Sequence, residues 1–323
     1  MKSHRLVQAL TLVAVLPMTA AAASSDFKPE SVANVEQRIF QDVRIGNPRV
    51  GAQSVDLDFH RGTGNLFAAV SWPDGWSLNI STDGGATWQE TYFYPSASEI
   101  SMRVGGDFAW VSYAPSAAPT QLRMRRFHAT TGAPDATYNY QLVGNLNPAT
   151  IVDVAMTANA DSGDSGIYVG CIGSDNAPYF FWDDLVGTSF VPFHPPSTIA
   201  EGGLDITMNP GAGSGFFLLM SFQSGSAIKV WRLHIFGGWE QTLSYGVNGS
   251  NNYSAISAYQ DTVAAVFEMD YTNGNGILSL VNTNAGQGGE WSPDVIYIPP
   301  TPTAPEAAGA DISLRSPSGS LLT

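Results

Sequence analysis

Short apolar runs separated by Gly-, Asp- or Asn-bearing turns dominate this chain from Val55 onward. Leu66 to Trp72, Trp76 to Ile80, Trp88 to Tyr94, Phe108 to Tyr113 and Ile167 to Ile172 are such runs. So are Phe216 to Phe222, Ile228 to Ile235, Trp239 to Tyr245 and Val263 to Met269. They are strand-length and rich in β-branched and aromatic residues, the composition of a pleated, buried surface. Beyond residue 23 no segment keeps a 3.6-residue apolar period for more than two turns, so the pattern predicts an all-β, essentially helix-free chain.

A short phrase recurs through this pattern: acid, apolar, small or polar, apolar. It reads Asp56-Leu57-Asp58-Phe59, Glu99-Ile100-Ser101-Met102, Asp153-Val154-Ala155-Met156 and Asp205-Ile206-Thr207-Met208. A weaker copy is Ala255-Ile256-Ser257-Ala258, and the last is Asp311-Ile312-Ser313-Leu314. Successive copies lie 43 to 56 residues apart, and each is followed by a turn and a second apolar strand. Four strands per interval is the size of one blade of a β-propeller.

One turn is more specific. Ser81-Thr82-Asp83-Gly84-Gly85-Ala86-Thr87-Trp88 lies between two strand-like runs, where Asp-Gly favours a hairpin and the Asp carboxylate can accept the turn's N–H groups. It matches S-x-D-x-G-x-T-W and resembles the Asp-box (BNR repeat) of sialidase-type β-propellers through Ser81, Asp83, Gly85 and Trp88. In that family the box is a structural staple on a blade, so the resemblance implies fold and not reaction. Degenerate copies that keep the Gly turn and the Trp occur at Phe236 to Trp239 and Gly286 to Trp291. The expected architecture is a six-bladed, sialidase-like propeller over residues 51–323. Its last blade, from Ala310, is short of strands, either incomplete or closed by an N-terminal strand at Arg38 to Ile45 within residues 24–50.

Residues 1–23 read as a signal peptide. Lys2, His4 and Arg5 precede the apolar run Leu6 to Leu16 and then small residues to Ala23, a run too short to span a bilayer. The expected location is therefore secreted or periplasmic, without membrane insertion. The formal net charge of −14 repels phosphate backbones and argues against nucleic acid as a partner. A glycan or another exported protein fits better, with the chain expected to be a monomer. Cys171, the one cysteine, lies in an apolar run and reads as a buried, inert thiol.

Three sets of residues carry candidate chemistry. Asp56, Glu99, Asp153, Asp205 and Asp311 begin the first strand of each repeat, the face where propellers usually bind ligands. They form either a ring for calcium or another ligand, or a set of carboxylates that each accept backbone N–H groups. Val43-Arg44-Ile45-Gly46-Asn47-Pro48 loosely resembles the sialidase F/Y-R-I-P motif, lacking the aromatic before Arg and the Pro directly after Ile. With Arg232 and Arg315, Arg44 would supply the arginine triad that grips a substrate carboxylate. No Tyr follows Arg315 and no clear Glu precedes Arg232, so the family's nucleophile and its activator are unassigned. Gly163-Asp164-Ser165-Gly166 mimics a serine-protease motif but lacks its context and reads as a hairpin turn. Finally, Trp72, Trp76, Trp110, Tyr113, Trp182 and Phe222 lie near strand ends, where rings either stack on sugars or pack between blades. No histidine pair has a metal-ligand spacing. Two functions follow. The first is a non-catalytic propeller that binds a glycan or protein on its channel face, with calcium as the one cofactor considered. The second is a sialidase-type exo-glycoside hydrolase.

Overall fold

The computed structural model describes Ile45, Arg49 and residues 51–297, apart from 139–140, 160–165, 184–190, 194–198, 213–214, 235–237, 247–253, 260, 272–273, 285 and 287–290. The described chain forms five four-stranded antiparallel sheets, each a meander in sequence order. Sheet one contains β1 (Ser54–Phe59), β2 (Leu66–Trp72), β3 (Gly75–Ser81) and β4 (Gln89–Pro95). Sheet two contains β5 (Ala97–Gly105), β6 (Phe108–Pro115), β7 (Gln121–His128) and β8 (Gln141–Asn145). Sheet three contains β9 (Ile151–Asn159), β10 (Gly166–Gly173), β11 (Pro178–Asp183) and β12 (Val191–Phe193). Sheet four contains β13 (Gly202–Ala212), β14 (Gly215–Ser224), β15 (Ala227–His234) and β16 (Gly238–Gly246). Sheet five contains β17 (Ser254–Tyr259), β18 (Thr262–Tyr271), β19 (Gly274–Asn282) and β20 (Trp291–Tyr297).

The first strands are neighbours in series, β1 beside β5, β5 beside β9, β9 beside β13 and β13 beside β17. This is the radial array of a propeller, with first strands innermost and fourth strands at the rim. It explains why the second strands read as continuous apolar runs. On β2, Phe67 and Ala69 pack toward Met102, Val111 and Tyr113 of sheet two, while Ala68, Val70 and Trp72 pack on the other flank with Ile45. A strand covered on both flanks has no solvent face on which to alternate. The outer strand β4 is exposed at both ends and only partly buried between them, and it carries more polar residues.

The core is thus a series of seams between sheets. Trp110, Leu122 and Met124 meet Met156, Ile167 and Val169 in the second seam. Leu204, Ile206 and Met220 meet Tyr168, Ile172 and Phe180 in the third. Sheet five has a second buried flank, where Ala264, Val266 and Glu268 are at most 3% exposed although no described sheet lies against them.

The Asp-Gly turn joins β3 to β4, as the sequence predicts. Ser81 Oγ accepts the Gly85 N–H at 2.8 Å and donates to Asp83 at 2.8 Å. Asp83 also accepts the Thr87 N–H at 2.9 Å and the Thr87 hydroxyl at 2.6 Å. Those Thr87 and Ser81 bonds favour the ionised form and hold the Asp83 carboxyl down at about 2. Gly84 and Gly85 have φ of 72° and 93°, values that side-chain-bearing residues resist. Trp88 packs beneath sheet one with Val70, Trp72 and Phe93.

Candidate functional site: the acidic inner strands

The first strands of adjacent sheets lie side by side but share no ladder, so their edge N–H groups need other acceptors. The acid phrase supplies them. Asp56 Oδ2 accepts the Met102 N–H at 2.8 Å and the Ser101 hydroxyl at 2.9 Å from β5. Asp58 Oδ2 accepts the Val104 N–H at 2.6 Å. Asp153 Oδ2 accepts the Leu204 N–H at 2.8 Å, and Asp205 Oδ2 accepts the Ile256 N–H at 2.8 Å. In each case a carboxylate from one first strand caps the first strand of the next sheet. Bonds between a charged acceptor and a backbone N–H are among the stronger hydrogen bonds in proteins.

Asp56, Asp153 and Asp205 thus make the backbone bonds of the second reading of the acid phrase. Among the described residues, no three His, Cys, Asp or Glu side chains gather as a metal-ligand set. The first strand of the fifth sheet has Ala255 at the acid's position and no carboxylate of its own. Asp311 lies outside the described residues.

A cation does reach this ring, and it is a side chain. Arg103, on β5, places Nη1 2.6 Å from Asp56 Oδ1 and Nη2 3.6 Å from Asp205 Oδ1. The same Nη1 donates to the Met102 carbonyl at 2.6 Å. Sheets one, two and four are thereby tied through one guanidinium.

Burial opposes ionisation of Glu99, Asp153 and Asp58. Burial, then the charge of Asp153, pushes the Glu99 carboxyl up to about 8. Burial raises Asp153 to about 6 against the pull of the Leu204, Val154 and Gly203 N–H groups. Asp58 rises to about 6 by burial, opposed by Arg103 and two backbone N–H groups. The inner strands thus carry carboxyl groups raised toward neutral pH, of which Asp58 feels the charge of Arg103.

Other predicted positions are dispersed. Arg232 is on β15, a third strand, with its guanidinium 3.4 Å from Glu240 on the neighbouring β16. Arg44 and Arg315 lie outside the described residues, so the triad is not assembled by what is described. Cys171 is fully buried on β10, and burial raises its thiol well above the usual range. The residues from Asp161 to Ser165 also lie outside the described set, between the paired strands β9 and β10.

Among the six aromatic candidates, Trp76, Trp110, Tyr113 and Phe222 are fully buried and Trp72 is 6% exposed. These are seam residues. Trp182 is 39% exposed.

Arg103, Asp58 and Asn282 escape a reading of the repeat alone. Arg103 follows the second acid phrase directly, as Arg315 follows the sixth, a coincidence of place that could have drawn attention to both. Asn282 ends β19 as Ser81 ends β3, and its Oδ1 accepts the Asn284 and Gly286 N–H groups at 2.8 and 2.9 Å. It carries out with one amide what Ser81 and Asp83 do together. Gly286 has φ of 73°, matching the left-handed turn at Gly85.

No protein-family model matches the chain, and no curated protein matches it. Solved structures do. An arginine-to-alanine triple mutant of AofleA from Arthrobotrys oligospora superposes with a TM-score of 0.58 at 13% identity, over 83% of this chain and 77% of that one. The AofleA structure without those mutations gives 0.53 at 12% identity, over 86% and 87%. SapL1 lectin in complex with alpha methyl fucoside gives 0.54 at 14% identity, over 80% and 83%. At these identities the likeness establishes a shared fold. Among the described residues no helix is long and apolar enough to cross a membrane.

Proposed function

We propose that this chain is an exported, non-catalytic propeller that binds carbohydrate. One observation carries the choice of binding over hydrolysis. The carboxylates of Asp56, Asp153 and Asp205, the natural candidates for chemistry at the channel, each accept a backbone N–H from the next sheet. A carboxylate so engaged holds the ring together and is poorly placed to move protons on a substrate. Likeness of fold to a lectin whose structure holds alpha methyl fucoside agrees with a sugar as the ligand.

The ring we envisage has six sheets, with residues 298–323 and the segment before residue 51 supplying the sixth. The buried flank of sheet five and the packing of Ile45 on sheet one support this reading, since each needs a covering layer. The turn at Ser81 to Trp88 is read as an Asp-box, and residues 1–23 as an export signal.

The alternative, a sialidase-type exo-glycoside hydrolase, is favoured by Glu99. With its carboxyl raised to about 8, it is protonated at neutral pH, the state a general acid needs.

A glycan array exposed to residues 24–323 tests both, with retained protein and released terminal sugar measured together. Retention without release is the expected result. Release of terminal sialic acid would establish the hydrolase, and a blank array would remove both carbohydrate readings.

A further inference from the structure

We propose that the seam between the third and fourth sheets, where β11 ends, forms a subsite for a neutral pyranose with Trp182 as its floor. This rests on the carbohydrate-binding reading and adds a place and a ligand class to it.

Trp182 faces Tyr168 across the β10–β11 ladder. Their ring centroids are 6.2 Å apart with 31° between planes, and Tyr168 is only 5% exposed. The indole edge lies over Gly166, where an added Cβ would fall 2.7 Å from Nε1. The ring is therefore backed by a buried tyrosine and seated on a residue with no side chain, while 39% of its surface stays in water. Of the large hydrophobic side chains exposed among the described residues, the other four are aliphatic. A flat, fixed ring with one open side offers the C–H face of a sugar a large contact at little entropic cost.

The core of the seam beneath is aromatic as well. Phe180 lies 5.6 Å from Trp239, with Trp231 and Leu233 half-buried beside them. Alternation along the strands turns Asp183, Arg232 and Glu240 away, while Lys229, two positions from Trp231 on β15, shares its flank farther along the strand. Asp183, next to Trp182, points to the second-sheet side, where its charge acts on Tyr138. Arg232 and Glu240 pair on the flank of sheet four opposite Trp231. A sialic acid or uronate would find no cation among these six aromatic and aliphatic residues, in a chain of formal net charge −14. A neutral pyranose meets neither obstacle.

The test is an intrinsic-fluorescence titration of residues 24–323 with methyl glycosides of glucose, galactose, mannose and fucose. Sialyl and glucuronyl glycosides serve as the anionic arm. A neutral glycoside is expected to shift the tryptophan emission. Trp182→Ala should weaken that binding at least tenfold at unchanged melting temperature, and Trp182→Phe should recover part of it. Gly166→Ala, which displaces the indole, should weaken it as well. Binding of a neutral glycoside with wild-type affinity by Trp182→Ala would overturn the subsite and leave the carbohydrate reading standing. Binding of the anionic glycosides alone would overturn the ligand class. Absence of any response here and on the glycan array would overturn subsite and function together.

Discussion

Arg103 and Asp205 lie on sheets that are not neighbours in the series, yet Nη2 of one stands 3.6 Å from Oδ1 of the other. Arg103 also holds Asp56 at 2.6 Å, so one guanidinium balances two carboxylates from different sheets. Each of these side chains is less than a quarter exposed, so screening by water is incomplete. Where the sequence leaves open a ring for calcium or another ligand, Arg103 supplies positive charge to Asp56 and Asp205 directly.

Replacing Arg103 by Met should therefore lower stability by about 1–3 kcal/mol, because two partly buried carboxylates lose their counter-charge. Adding Asp205→Asn should recover part of that loss. Thermal unfolding of the two single variants and the double variant reads the coupling directly. Additive effects would show that the contact at 3.6 Å contributes nothing. Calcium should leave the melting temperature of the unaltered protein unchanged.

Stability should fall as pH rises through neutrality. Glu99 titrates near 8 in the folded chain against an ordinary value of 4.5, so the folded state binds more protons between those limits. Stability is then greatest toward the lower limit and is lost as pH passes the upper one. Asp58 and Asp153, raised to about 6 from 3.8, add a loss at lower pH. From pH 6 to 9 the decline should be on the order of 3 kcal/mol, and Glu99→Gln should flatten most of it. Denaturant melts at several pH values test this, and an unchanged slope in Glu99→Gln would assign the effect elsewhere.

The opposite sign holds in acid. Asp83 and Asp135, held at about 2 by Thr87 and Thr137 respectively, contribute stability that is present above 3.8 and lost as pH falls toward 2. Asp83→Asn should lose its share of this acid sensitivity while leaving the Glu99-dependent decline intact, as measured by melting temperature at pH 3 and pH 8.

Asn282→Ala should cost about 1–3 kcal/mol, since it leaves the N–H groups of Asn284 and Gly286 without their acceptor. Asn282→Asp should retain most of the stability, because a carboxylate accepts the same bonds. Chemical denaturation of both variants checks this, and equal losses would mean that the amide's shape matters more than its oxygen.

The buried and exposed tryptophans should separate cleanly. Trp110→Ala should cost about 3–5 kcal/mol, as removal of a fully buried large aromatic does. Trp182→Ala should stay within about 1 kcal/mol of the parent protein. Thermal melts of the pair measure whether exposure alone divides ring packing from ring presentation.

Much of this molecule was legible locally. Leu66 to Trp72 and Val263 to Met269 stand out because the second strands are buried on both flanks, and the turns between them are marked by Gly, Asp and Asn. The acid phrase pointed to the inner strands for a physical reason. In three of the repeats a carboxylate at this place serves the junction with the next, as Asp56 does for Met102, Asp153 for Leu204 and Asp205 for Ile256.

What stayed hidden depends on distance along the chain. Nothing near Arg103 announces that Asp56 and Asp205 will meet it, since both come from other repeats. Nothing local separates Trp182 from Trp110 either, because a ring is buried or open according to the neighbouring sheet it meets. The sequence by itself determined the strands, their grouping in fours and the turns that join them, since these rest on strand-length apolar runs, a recurring phrase and backbone conformation within a few residues. Only the tertiary structure decided which carboxylate caps which strand, which cation balances them and which tryptophan faces water, because each of those is settled by side chains that the ring brings together from separate repeats.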